Sequence, residues 1–64
     1  MTAIDVLLVQ LANPARRALN AAGITTLEEL SGRSKDELMA MHGIGKNALA
    51  TIEQVLGQNH LKLR

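Results

Sequence analysis

The 64-residue sequence predicts an all-α fold, a compact bundle of about five short helices. Three observations predict it. Apolar residues recur at helical spacing along almost the whole chain, and no alternating run of useful length suggests a strand. Helix-start residues stand ahead of the apolar runs, at Thr2, Asn13-Pro14, Thr26 and Ser34. Finally, the chain has no aromatic residue, so its core must come from Leu, Ile, Val, Met and Ala, which suits small, closely packed helices.

The elements follow in order. Ile4, Leu7, Leu8 and Leu11 share one stripe, with Thr2 as N-cap and Asp5 in the capping-box place. Asn13 as N-cap and Pro14 at the first helical position open the second helix. It buries Ala15, Ala18, Leu19 and Ala22 and ends at Gly23. Thr26 and Glu29 form a second capping box before a short helix carrying Leu27 and Leu30, closed by Ser31-Gly32. Ser34 and Glu37 form a third, leading to Leu38 and Met41 and stopping at Gly43. The last helix runs from about Gly45 to Leu56, burying Ala48, Leu49, Ile52, Val55 and Leu56, with Gly57 as its cap. The tail from Asn59 to Arg64 is predicted to be extended, with Leu61 and Leu63 tucked against the core.

Length allows one domain, residues 1–64, and a chain this short buries only about 60% of its unfolded surface. It has no cysteine, hence no disulfide and no thiolate chemistry. The lack of aromatic rings removes the platforms on which single strands stack. Net charge is +1, so overall charge names no partner. Glu28, Glu29, Asp36 and Glu37 lie in the middle third, while Arg16, Arg17, Lys46, Lys62 and Arg64 lie outside it. A fold uniting the outer segments would have a basic and an acidic side. The apolar start, Met1 to Leu11, is too short to span a bilayer and carries no signal-peptide pattern. The expectation is a cytoplasmic protein with no membrane partner.

His42 and His60, without cysteine or a spaced carboxylate, make no zinc site, and no cofactor is expected. His42 is expected to be partly buried and hydrogen-bonded. Met39 and Met41 are read as core fillers, with an exposed interaction surface as the alternative for Met39. The carboxylates fit helix-start preferences, and a protein this small offers no cleft to shift their pKa values. No catalytic role is expected.

The chemistry concentrates at His42-Gly43-Ile44-Gly45-Lys46-Asn47-Ala48. Gly43 can end one helix with a positive φ. Gly45 keeps side-chain bulk off the start of the next, where free N–H groups and a partial positive charge suit a phosphate. Lys46 adds a full charge in the first turn. The alternative is a tight turn with no ligand. A weak repeat at an offset of 30 residues sets Asn13–Leu19 against Gly43–Leu49, pairing Arg16 with Lys46, Ala18 with Ala48 and Leu19 with Leu49. It suggests two hairpins, one intact and one degenerate.

Four blocks carry a resemblance: Pro14 to Leu19, Gly23 to Leu30, Glu37-Leu38, and Gly43 to Leu49. Together they resemble the C-terminal domain of the bacterial RNA polymerase alpha subunit and small stand-alone bacterial proteins on the same helix-hairpin-helix scaffold. The resemblance implies a SAM-like bundle of about five helices. It also implies non-catalytic, largely sequence-independent contact with the backbone of double-stranded DNA from the minor-groove side. It implies two places that touch DNA: the hairpin with the helix start after it, here Gly43, Gly45, Lys46 and Asn47, and the start of the helix that here begins at Pro14. The reading of the residues takes the backbone from Gly43 through Ile44 to Asn47 as the phosphate grip, with Arg16 or Arg17 holding a neighbouring phosphate. The resemblance further allows a monovalent cation at the hairpin carbonyls. The sequence departs from the family pattern at Pro14, where the polymerase domain has an arginine. It departs again at Asn47 and Ala48, where that domain has a basic residue and a hydroxyl. An alternative reading is a protein-interaction module, monomeric or weakly dimeric. Its contact would lie along the helix from Ile4 to Leu11, where Val6 and Val9 exceed what one buried stripe needs.

Overall fold

Capping side groups set the starts of the short helices. A computed structural model describes residues 2–64, leaving only Met1 outside. Five helices, and no strand among the described residues, follow one another as α1 (Ala3–Leu8), α2 (Asn13–Ala21), α3 (Leu27–Ser31), α4 (Lys35–Met39) and α5 (Lys46–Gln58). Thr2 caps α1, and the Asp5 carboxylate accepts hydrogen bonds from both its N–H and its hydroxyl, at 2.9 Å each. Ser34 and Glu37 form the expected reciprocal box on α4: the Glu37 N–H donates to Ser34 Oγ at 3.1 Å and the Ser34 N–H to Glu37 Oε1 at 2.9 Å. On α3 the Glu29 N–H donates to Thr26 Oγ1, but the Glu29 carboxylate reaches one residue further back than expected, accepting from the Thr25 N–H and hydroxyl.

α2 corrects a boundary. Its N-cap is Ala12, not Asn13; Ala12 is extended at φ −69° and ψ 158°, and its carbonyl accepts from both Ala15 and Arg16 N–H. Asn13 and Pro14 therefore sit inside the first turn. The Asn13 side chain accepts from the Arg16 guanidinium rather than from a backbone N–H. At the far end Gly23 has φ +75°, Ile24 N–H donates to Leu19 O and Gly23 N–H to Asn20 O. This is a Schellman closure, and it buries Ile24 beside Leu19.

α5 ends by the same closure at a different residue. The helix runs straight through Gly57 to Gln58. His60, at φ +60°, takes the left-handed position, with Leu61 N–H donating to Leu56 O and His60 N–H to Gly57 O. Histidine tolerates this region better than most residues, so Gly57 is left with no capping role. The tail behind it has no regular structure, and Leu61 and Leu63 pack half-buried against the core as expected.

Every helix supplies the core: Leu7, Leu19, Leu30, Leu38, Ile52 and Leu56 are fully buried. Each such residue contributes about 2 kcal/mol. α5 is the central element and packs against α1 and α4. α1 stops earlier than its stripe suggested. Gln10 and Leu11 continue in a turn that still buries Leu11.

Three further expectations change. His42 is exposed, because it sits on the outer side of the turn after α4. Met39 is 39% exposed, while Met41 packs half-buried against the core. Arg64 does not lie on a basic side. Its N–H donates to Arg33 O and its guanidinium lies 3.6 Å from the Glu37 carboxylate, so the tail folds onto the acidic middle of the sequence.

Candidate functional site

The hairpin from Gly43 to Asn47 is built by two glycines with different duties. Gly43 has φ +101°, and a Cβ placed on it would lie 2.5 Å from the carbonyl oxygen of Pro14. The position thus demands glycine twice, for its torsion and for the backbone contact it allows. Gly45 is extended, at φ −107° and ψ −174°, with open space around its Cα. It N-caps α5 without a side chain.

Open amides follow from that. The first backbone bond into α5 runs from Leu49 N–H to Gly45 O. The N–H groups of Gly45, Lys46, Asn47 and Ala48 have no acceptor among the described residues. Ile44 differs: its side chain is buried, and its N–H donates to Met41 O at 3.2 Å. It anchors the hairpin from inside. Gly45, Lys46 and Asn47 are exposed.

The Gly43–Pro14 contact sets a second helix start beside this one. α2 also has an extended N-cap whose side chain makes no capping bond. Neither α2 nor α5 has an acidic residue in its first turn, whereas α1, α3 and α4 each do. Those acids are held below the usual carboxylate range by the donors they cap: Thr2 backbone and hydroxyl for Asp5, Thr25 hydroxyl and backbone for Glu29, and Ser34 backbone and hydroxyl for Glu37. Negative charge is therefore fixed at three helix starts and absent from the two that adjoin.

A groove of about 470 Å³ runs between the adjoining starts. Gly43, Gly45, Lys46 and Asn47 line it on the α5 side, with Ala48 and Thr51 behind them; Gln10, Leu11, Ala12 and Ala15 form the other wall. The Thr51 hydroxyl donates to Asn47 O at 3.1 Å and stiffens the first turn. Sequence reasoning missed Gln10, Ala12 and Thr51. The internal repeat, which begins at Asn13, does not reach the first two.

Arg16 and Arg17 are not brought to this groove. Both line a separate cleft of about 700 Å³ on the α1 side of α2, and Arg16 is tied there to Asn13. No group of His, Asp or Glu able to hold a metal ion occurs among the described residues, and no helix is long and apolar enough to cross a membrane.

Comparison with known proteins assigns the family. The family model for the C-terminal domain of the bacterial RNA polymerase alpha subunit matches residues 2–58. The DNA-directed RNA polymerase subunit alpha of Clostridium perfringens is 41% identical over 46 residues, covering 72% of this chain and 15% of that protein. The Desulforudis audaxviator and Clostridium botulinum subunits are 41% and 44% identical over 46 residues, with the same coverage. The match thus spans a small part of the length of these relatives. No solved structure matches the protein. With five helices in the expected order and a family match over nearly its whole length, the protein belongs to the family of bacterial RNA polymerase alpha C-terminal domains.

Proposed function

We propose that the domain holds the backbone of double-stranded DNA, without catalysis and largely without reading sequence. One observation carries the proposal. Two helix starts free of acids and of capping hydroxyls adjoin through Gly43 and Pro14, and one of them bears the exposed Lys46. Unpaired N–H groups at Gly45, Lys46 and Asn47 are suited to phosphate oxygens, and Lys46 neutralises one of them. The named relatives are subunits of a DNA-directed polymerase, which makes duplex DNA the polymer to test. Pro14 offers neither charge nor N–H, so the contact from α2 comes from its partial positive end and from the Gln10–Ala12 wall. Arg16 and Arg17 line a cleft separate from the hairpin groove, so the reading does not depend on them.

With Lys46 the one side-chain cation placed on a phosphate, affinity is weak, and the slope of log K against log salt is about −1. An amide-shift titration with duplex DNA at low salt tests the reading. Expected are shifts at Gly43 to Asn47 that fade with salt and vanish in Lys46→Glu. Shifts elsewhere, or none, overturn it.

A second reading, contact with another protein through α1, is favoured by the 42% exposure of Val6 and the 62% exposure of Val9. Concentration-dependent shifts confined to α1, in the absence of DNA, distinguish it.

A further inference from the structure

The cleft lined by Arg16 and Arg17 is left unused by the DNA proposal. Asn13, Arg16, Arg17 and Asn20 recur at helical spacing and form the polar stripe of α2, opposite the buried Ala15 and Leu19. Leu8 of α1 lies half-buried across from them, with the edges of Ile4 and Ile24 completing an apolar floor. The volume, about 700 Å³, lies within the range of ligand-binding clefts.

Charge in the cleft is one-sided in effect. Its one carboxylate, on Asp5, already accepts two hydrogen bonds from Thr2. The two guanidiniums have no carboxylate partner: Arg16 bonds only the neutral Asn13, and neither arginine forms an ion pair among the described residues. A planar guanidinium matches a carboxylate through paired N–H donors. Phosphates of a duplex would use the arginines and leave the aliphatic floor idle. A peptide with acidic and aliphatic side groups uses both.

We propose that the cleft between α1 and α2 binds an acidic, partly aliphatic segment of another protein, with Arg16 and Arg17 holding its carboxylates and Leu8 its apolar side groups. The two sides of α2 then serve two partners, since the hairpin groove lies beyond the start of the same helix. Neither partner depends on the other being bound.

A synthetic peptide of alternating glutamate and leucine, titrated into the whole protein, tests it. Expected are amide shifts at Asp5, Leu8, Arg17, Asn20 and Thr25, with Gly45 to Asn47 unmoved. The double variant Arg16→Ala, Arg17→Ala weakens binding at least about tenfold while the urea midpoint holds, both residues being exposed. Peptides of alternating lysine and leucine, or of glutamate and serine, bind at least about tenfold more weakly. Equal binding by either control overturns the proposal, as does an absence of shifts in the cleft. It is also overturned if duplex DNA displaces the peptide and the double variant loses DNA binding in parallel, because the arginines then belong to the duplex surface. Lys46→Glu separates the two proposals: peptide binding persists in that variant whatever happens to DNA binding.

Discussion

The starts of α3 and α4 and the starts of α2 and α5 solve the same problem in opposite ways. Each helix begins with backbone donors that its own turns cannot satisfy. At α3 and α4 a hydroxyl and a glutamate close the start from within the sequence. At α2 and α5 alanine and glycine stand at the cap and no acid follows. The closed starts commit their donors to local stability. The open start of α5 leaves donors exposed, and it meets the acid-free start of α2 at Gly43 and Pro14. The difference teaches that missing caps are informative when they coincide in space: an uncapped helix alone says little, whereas two side by side make a surface poor in negative charge.

That contrast can be broken at its hinge. Gly43→Ala forces a Cβ against Pro14 O and a methyl group into the φ +101° region. It should cost about 2–4 kcal/mol, read from the urea midpoint, and duplex-induced shifts should disappear with it. A midpoint within about 0.5 kcal/mol of the parent would mean that the backbone contact is not enforced.

The contrast can also be erased at α5. Gly45→Asp gives the open start the acidic cap of its neighbours, at an extended position with room for a side chain. Stability should rise by about 0.5–1 kcal/mol while duplex affinity at low salt falls about tenfold or more. Gain in both would refute the idea that the exposed donors serve an anion.

Conversely, Ser34→Ala opens a closed start. It should cost about 1 kcal/mol and leave duplex binding unchanged. Smaller still is the repair of the α5 terminus. His60→Gly relieves a left-handed torsion and Gly57→Ala removes a glycine from the last turn of α5 with no neighbour to clash, each adding about 0.5–1 kcal/mol by thermal or urea unfolding. Acid is the gentlest lever. Asp5, Glu29 and Glu37 are lowered in the folded state, so the unfolded state binds more protons. The stability they contribute is complete above the ordinary carboxylate range and is lost as pH falls from about 4 through their native values. A urea midpoint that stays flat over that interval would show the caps to be absent in solution.

Much of this was legible in the residues. Ser34 with Glu37 caps α4 and Gly23 ends α2 as read, because each is a local arrangement of a few neighbouring residues. Thr26 kept its cap while Glu29 chose Thr25, a difference of one residue that spacing alone does not resolve. Asn13 lost the cap to Ala12, whose extended backbone and carbonyl open the helix one residue earlier. Gly57 lost its place to His60, since periodicity marks a helix face better than a helix end. At the site, the glycine pair and Lys46 were readable from torsional and charge preference. The partnership of Gly43 with Pro14 was not, being a contact between segments about 30 residues apart, although the repeat hinted at it. That Arg16 and Arg17 turn toward α1 depends on how α1 packs, which α2 alone does not encode.

The Gly43–Pro14 junction works like the rivet of a pair of calipers. Because backbone atoms themselves abut there, the gap between the jaws cannot be widened by swinging a rotamer or shortening a side group. Whatever object is measured must conform to the tool, so selectivity among targets would arise from how readily each one deforms.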